Sequence, residues 1–325
     1  MDLEMLHERA RIIRQVRSFF DKRNYLELDT PLLSSDLIPE SCLEVFETVR
    51  LVPGGENRPY WLIPSPEIWM KKIIARHRTN VYQICKCFRN GESSGFLHSP
   101  EFTMLEYYTM NTDYMDSLTL TEELAARLTE HGGPASFRPP FKRITVAEAF
   151  DRFAGFDLFR AAEQAGGMEA AARRLGLDPP PGMGLGGLYD LIFIHAVEPR
   201  LAEEGPIALL DYPAFVSCLA RRGADGVTME RWELYYRGIE LANCYSEETD
   251  PQTVRLFFEH EAAAKGQSAM VCHRVDHQYW KFFLPQMTGS AAFPRCSGVA
   301  LGLDRLIMVL TGRSRIDAAL PFPIA

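Results

Sequence analysis

FRNGESSGFLHSPEFTMLEYY, residues 88–108, is the stretch that decides the fold. The run before it, VYQICKCF (81–88), and the run that closes it, EFTMLEYY (101–108), both read as strands of apolar and aromatic residues. A polar, glycine-containing loop, RNGESSGFLHSP, joins them, so the two strands form a long hairpin whose tip is the kind of loop that carries function. Arg89, at the end of the first strand, offers a fixed fork of donors to phosphate oxygens. Phe102 offers a flat face worth about 1–3 kcal/mol when a base stacks on it. Alone, the pair is no more than a surface arginine beside a core phenylalanine. His98 in the same loop is equally a phosphate contact or a histidine bonded to backbone.

Two other segments change that balance. RWELYYRGIELANCYSEE (231–248) carries Glu233, Glu240, Asn243 and Glu247. Carboxylates this close raise each other's pKa unless a cation sits among them. Two of them could hold Mg²⁺ with phosphate oxygens completing the octahedron, and one could take an ammonium. Positions 240, 243 and 247 share helical spacing, as a solvated helix face would. The aromatic, apolar flanks and the glycine break instead predict a buried strand and a turn. In CSGVALGLDRL (296–306), small residues let the backbone approach a ligand closely, and Arg305 opens a helix that Gly312 ends.

Outward from these segments, apolar spacing predicts a helix over 4–23, ended near Asn24, and a short strand over Tyr25 to Leu28. Pro31 places its segment at an edge or interface. Tyr60 to Ile63 reads as a strand leading into the helix SPEIWMKKIIARH (65–77), with Ser65 as N-cap and Glu67 in the first turn. Lys71 and Lys72 read as a solvated face of that helix. Residues 116–131, 146–175 and the stretch from Leu188 read as helical, so 116–205 is expected as a mostly helical insertion in a mostly β body. Cys85 and Cys87 point to one face of their strand and read as free thiols rather than a zinc site.

The 325 residues include 35 Lys and Arg against 43 Asp and Glu, a formal charge of −8 that disfavours a broad electrostatic grip on nucleic acid. With 46% hydrophobic and 24% charged residues the chain is not a disordered one. No run approaches the roughly 18–20 apolar residues that span a bilayer. Seven scattered cysteines suggest reduced thiols and a cytoplasmic setting.

Taken together and in this order, the segments resemble the signature motifs of class II aminoacyl-tRNA synthetases of the lysyl branch. YLELDTPLL (25–33) is similar to the first motif, FRNGESSGFLHSPEFTMLEYY to the second and GVALGLDRL (298–306) to the third. SPEIWMKK and GIELANCYSEETD are similar to the lysyl-specific pocket segments. The resemblance implies an α+β fold, an antiparallel sheet flanked by helices, as one catalytic domain over 1–325. It also implies a homodimer through the region around Pro31. The N-terminal OB-fold that binds the anticodon in lysyl-tRNA synthetases has no counterpart here, which makes tRNA an unlikely partner. That pattern resembles the ligases of this branch that modify translation elongation factor P, as does Ala300, where the tRNA-charging relatives have Gly.

The same resemblance implies a two-step reaction. ATP and (R)-β-lysine, or lysine, form an aminoacyl-adenylate, and the aminoacyl group passes to the ε-amine of a lysine on elongation factor P. Arg89 and Arg305 would be the catalytic pair, Arg89 on the α-phosphate and Arg305 stacking on adenine opposite Phe102 while facing the γ-phosphate. Asn90, Gly91, Glu92, Ser99, Leu241 and Gly302 would complete the ATP site, and Glu233 and Glu240 would hold Mg²⁺. Glu247 and Tyr108 would receive the side-chain ammonium. Glu67, with Ser65, Pro66 and Asn243, would orient the other amine and the carboxylate, beside Ala300. The chain departs from the family pattern at Asn90-Gly91-Glu92, at Ser99 where Asn is common, and at Cys244 where Gly is usual. A truncated synthetase that charges tRNA or another carrier, and an inactive paralogue acting as a ligand-binding regulator, are the alternatives.

Overall fold

The computed structural model describes residues 2–92, 95–130, 132–288 and 292–324. Ser93 and Ser94 of the hairpin tip lie outside the described residues, as does Ala325. Helix α1 (Leu3–Asp21) starts where the Asp2 side chain accepts the Glu4 amide, and it buries Ile12, Val16 and Phe20 on one face. Asn24, at φ 57°, turns the chain into β1 (Leu26–Glu27). Strands β2 (Leu33–Ser34), β3 (Glu47–Arg50) and β4 (Arg58–Leu62) form a small antiparallel sheet in the order β2-β4-β3.

Helix α2 (Glu67–His77) begins one residue later than the sequence reading places it. Pro66 occupies the N-cap position, and Ser65 still accepts the Glu67 amide at 3.0 Å. Strands β5 (Val81–Phe88) and β6 (Glu101–Met110) make the expected hairpin, in register from Val81 opposite Tyr108 to Phe88 opposite Glu101. Helix α3 (Tyr114–Thr129) follows, capped by Asp113.

Over 116–205 the structure holds two different things. Helix α3 packs with α1 in the first core, through Leu118, Leu124 and Leu128. The connector after it yields a strand that sequence reading missed, β7 (Lys142–Thr145). The stretch 146–175 is not continuous: α4 (Val146–Ala149), a π-helical turn (Phe150–Ala154), α5 (Leu158–Glu163) and α6 (Gly167–Arg174) are separated at Gly155 and Gly166, both at positive φ. With α7 (Leu185–Ile192), a second π-helical turn (Phe193–Val197) and α8 (Glu198–Leu201), they enclose a core of their own around Phe150, Tyr189 and Ile192.

The chain then returns to β8 (Ile207–Pro213), β9 (Thr228–Tyr236) and β10 (Ile239–Ser246), continues through α9 (Pro251–Ser268) and α10 (Pro285–Thr288), and closes with β11 (Cys296–Gly302) and α11 (Leu303–Leu310). Eight strands form one sheet in the order β1-β5-β6-β11-β10-β9-β8-β7. The two end pairs, β1 with β5 and β7 with β8, are parallel, and every pair between them is antiparallel. Because side chains alternate across a sheet, Tyr82, Tyr107, Val299, Trp232 and Leu234 join α1, α3 and α11 in one core, with Phe20 stacked on Tyr82 at 4.8 Å. The residues between them face the other way. Among the described residues no helix is long and apolar enough to cross a membrane.

Candidate active site

The opposite face of the sheet carries one rung of chemistry. Glu106 on β6 stands opposite Ala300 on β11, Ala300 opposite Asn243 on β10, and Asn243 opposite Glu233 on β9. Simple alternation would put Glu240 on the core side, since it lies three residues from Asn243. The β10–β9 register shifts between Glu240 and Ala242, and that irregularity lets Glu240 and Asn243 share a face. Leu241 and Ala242 are then both buried in the core.

A cavity of about 400 Å³ lies over this rung. Arg89, Glu92, Ser99 and Phe102 from the hairpin, Glu233, Glu240, Leu241 and Asn243 from β9 and β10, and Ala300, Gly302 and Arg305 from the third segment all line it, with Glu67 from α2. The two arginines and the acidic pair, 216 residues apart at the extremes of sequence (305 − 89), share one hollow. Asn90 and Gly91 line a neighbouring cleft of about 500 Å³ that shares Arg89, Glu92, His98 and Ser99 with the first. There the Asn90 amide donates to Glu44 O and its side-chain nitrogen to Val45 O.

Arg305 is held by backbone: Nη1 donates to Glu240 O at 2.8 Å and Nε to Leu97 O at 3.2 Å. Its neighbour Asp304 is buried, ion-paired with Arg9 of α1 at 2.6 Å, and accepts the Thr103 amide at 2.6 Å. Arg89 is freer. Its guanidinium lies over the Phe102 ring at 5.2 Å, Glu92 is 3.7 Å away, and Nε has no hydrogen-bond partner among the described residues. Ser99 Oγ and Asn243 Oδ1 are buried and also lack partners among the described residues.

The acidic pair is uneven. Glu233 receives an ion pair from Arg231 on its own strand and a 2.7 Å hydrogen bond from the Tyr235 hydroxyl. No partner holds the Glu240 carboxylate among the described residues; burial, and then the proximity of Glu233, push it up to about 7. No cluster of three or more His, Cys, Asp or Glu side chains suited to a metal occurs among the described residues. Cys85 and Cys87 lie with their sulfurs 3.8 Å apart.

The expected ammonium site is arranged differently. Tyr108 and Glu247 do not line the cavity. They are 2% and 3% exposed, behind Glu67. The Tyr108 hydroxyl donates to Glu106 at 2.7 Å. Lys71, expected on a solvated face, is 2% exposed, with Nζ 2.5 Å from Glu67 and 2.6 Å from Glu247. Tyr279, itself stacked on Phe258, faces Lys71 from some two hundred positions away, a partner that its local sequence does not announce. Gly298 makes this possible, because a Cβ there would lie 2.4 Å from Glu247 Oε1 and 2.5 Å from the Tyr108 ring.

Sequence reasoning also missed four charged residues at this site. Arg231 anchors Glu233 and lies 4.1 Å over the Tyr212 ring. Glu106 sits at 3% exposure in the central rung, its carboxyl raised well up by burial and then by Glu67. Glu40 lines the cavity and is pushed up to about 7, again by burial and then by Glu67. Glu261 fastens Ser41 and Ser217 around the cavity wall. The visible signal for Arg231 and Glu106 was strand alternation, which sets them on the face of Glu233 and Ala300.

A large, mostly antiparallel sheet flanked by helices is the α+β architecture of a class II synthetase domain. A family model described as tRNA synthetases class II (D, K and N) matches residues 3–325, and the chain belongs to that family. Among curated relatives, the elongation factor P–(R)-β-lysine ligases of Vibrio atlanticus, Avibacterium paragallinarum and Haemophilus influenzae are 33%, 32% and 33% identical. Each alignment covers 99% of this chain and 96% of the relative.

Proposed function

We propose that the protein uses ATP to activate (R)-β-lysine, or lysine, as an aminoacyl-adenylate and transfers it to the ε-amine of a lysine on translation elongation factor P. The observation that carries this reading is the single cavity shared by Arg89, Phe102, Glu240, Asn243, Ala300 and Arg305, in a chain collinear with ligases of that name over almost its whole length. Activation brings a carboxylate onto an α-phosphate, an approach of two anions, so fixed positive charge on the phosphate is the main requirement. Arg305 is pre-set by its two carbonyl contacts. Arg89 is free to leave the Phe102 ring to an adenine and turn to phosphate oxygens. Holding the two reactants in line supplies much of the remaining acceleration. No residue need act as a covalent nucleophile, and the amide product requires no tRNA 3′ end.

The donor set fits Mg²⁺ beside the phosphates. Glu240 and Glu233 are two hard oxygen donors whose mutual repulsion a cation relieves, and phosphate oxygens and water fill the remaining positions of such a site. The cation would neutralise phosphate charge there. The reading includes a homodimer and a cytoplasmic setting. Leu26 and Leu33, which flank Pro31, are 52% and 47% exposed, an apolar edge that a second copy would cover.

The test is direct. The protein is incubated with ATP, each lysine isomer in turn and purified elongation factor P, and the factor is weighed by mass spectrometry. A mass gain equal to one aminoacyl group, stable to base, supports the reading; no gain with any isomer defeats it.

A further inference from the structure

Lys71 lies one helical turn after Glu67 on α2, and its ammonium reaches two carboxylates from different parts of the chain, Glu67 at 2.5 Å and Glu247 at 2.6 Å. Glu67 has two sides: one meets Lys71, the other lines the cavity. Charged side chains as deeply buried as Lys71 and Glu247 persist only when paired, so the two form a fixed backing behind Glu67, which alone of the three lines the cavity. With both carboxylates ionised the trio carries two negative charges and one positive, a net of one negative; burial raises the Glu247 carboxyl to about 7 against the pull of Lys71, so this is its charge from neutral pH upward. An amino acid with two ammonium groups and one carboxylate carries one net positive charge.

We propose that Lys71 is a positioning residue that determines amino-acid specificity, tying Glu67 to Glu247 and setting the subsite at one net negative charge to complement a diamino monocarboxylic acid. The proposal rests on the amino-acid activation put forward above. Lys71 acts through Glu67 and Glu247 and touches no reacting atom.

The surroundings define what its loss does. Glu106 and Tyr108 on β6, Glu248 just past β10, Cys244 on β10, Cys296 on β11, Tyr279 and Glu40 are the other titratable groups facing the trio, and Glu40, pushed up to about 7, changes charge near neutral pH as Glu247 does. Burial works against a charge on Lys71, but Glu247 and Glu67 overcome it and hold the ammonium well above the usual lysine range. With Lys71 neutral, Glu247 faces Glu67 with no cation between them, and its carboxyl, raised to about 7 by burial against the pull of Lys71, rises further. At pH 7 Glu247 then holds a proton, and the subsite loses one negative charge. At pH 9 Glu247 is more fully ionised than at pH 7, while an amine of lysine type, with pKa about 10.4, remains charged.

The test compares native protein, Lys71→Met, Lys71→Arg, Glu247→Gln and the pair Lys71→Met with Glu247→Gln. Amino-acid-dependent ATP–pyrophosphate exchange is measured at pH 7 and pH 9. Lys71→Met is expected to raise the KM for the amino acid about tenfold or more at pH 7 and clearly less at pH 9, the size of one pKa unit or more. The KM for ATP stays near the native value, and Lys71→Arg recovers most of the loss. A rise independent of pH, an equal rise in the KM for ATP, or no change overturns the proposal. Should Lys71→Met fail to fold, the pair removes one buried charge of each sign and keeps the fold. Its KM for the amino acid is then expected to be no worse than that of Glu247→Gln, because Lys71 works through Glu247; a further loss of about tenfold, one pKa unit in size, overturns the proposal. Absence of any amino-acid-dependent exchange by native protein removes the activation reading and this proposal together. Native exchange with an unaltered Lys71→Met removes the proposal alone.

Discussion

Ala300 and Asn243 are direct cross-strand partners at the centre of the sheet, with Glu106 on the other side of Ala300. The Ala300 methyl therefore lies beside Asn243, whose Oδ1 is buried without a partner among the described residues. A methyl at this point takes volume from the place where the amino acid's carboxylate and nearer amine would lie. Ala300→Gly is expected to relax the site toward α-lysine. One methyl is worth about 1–3 kcal/mol in discrimination, so relative kcat/KM for the two isomers should change about 10- to 200-fold. Exchange kinetics with each isomer measure it, and an unchanged ratio removes Ala300 as a selectivity element.

The Arg9–Asp304 pair joins the first helix of the chain to the last. Asp304 is 1% exposed, and the same Arg9 nitrogen also donates to Thr103 Oγ1 at 2.8 Å. Asp304→Asn leaves Arg9 as a buried charge without its counter-ion. Breaking one side of such a pair costs about 3–5 kcal/mol, so the variant should melt well below native protein. Arg9→Met combined with Asp304→Leu should lose much less, because it leaves no odd charge. Chemical denaturation of the three proteins checks the order.

The β5–β6 hairpin, the β9–β10 strands and the third segment were legible because their signals are local, whereas β7 was not. The Arg237–Gly238 turn, with both residues at positive φ, closes β9 onto β10 and makes 233–246 a hairpin rather than a helix, as its aromatic flanks suggest. What was not legible depends on distant partners. Nothing near Lys71 announces that Tyr279 faces it. Nothing in GIELAN marks the register shift that turns Glu240 toward Asn243. The helical stretch after 146 read as continuous because its apolar spacing runs across Gly155 and Gly166, where the chain in fact turns.

The cavity also carries a pH dependence with a definite sign. Glu40 is pushed from its ordinary 4.5 up to about 7 by burial and by Glu67, and its carboxylate has no partner among the described residues. A carboxyl group whose folded pKa lies above its unfolded value contributes its stability below about pH 4.5 and loses it as pH rises through 7. Native protein without ligands should therefore lose stability between pH 5 and pH 8. Glu40→Gln, neutral throughout, should match native protein near pH 5 and exceed it at pH 8. Melting temperatures across that range decide the matter, and parallel curves for the two proteins would show that Glu40 does not supply the slope.

The two arginines should separate when each is replaced, because only one is tied to backbone. Arg305 holds Glu240 O beside the register shift and Leu97 O at the end of the hairpin loop. Removing it deletes the proposed phosphate partner and also leaves two carbonyls short of a donor, each worth about 0.5–1.5 kcal/mol. Arg89 has only the Phe102 ring and a loose pairing with Glu92 on its side chain, and an exposed contact of that kind contributes little. Arg89→Ala should thus lower the kcat of pyrophosphate exchange about 10²–10³-fold, the usual scale for one donor to a developing charge, with an almost unchanged melting temperature. Arg305→Ala should lower both activity and melting temperature, and Arg305→Lys should recover neither fully, since a single ammonium lacks the planar fork that spans both carbonyls. Exchange kinetics paired with thermal melts on the same preparations distinguish the two roles. Equal destabilisation by both alanine variants would mean that Arg89 also holds the hairpin loop in place, and the division between a fixed and a mobile guanidinium would fall.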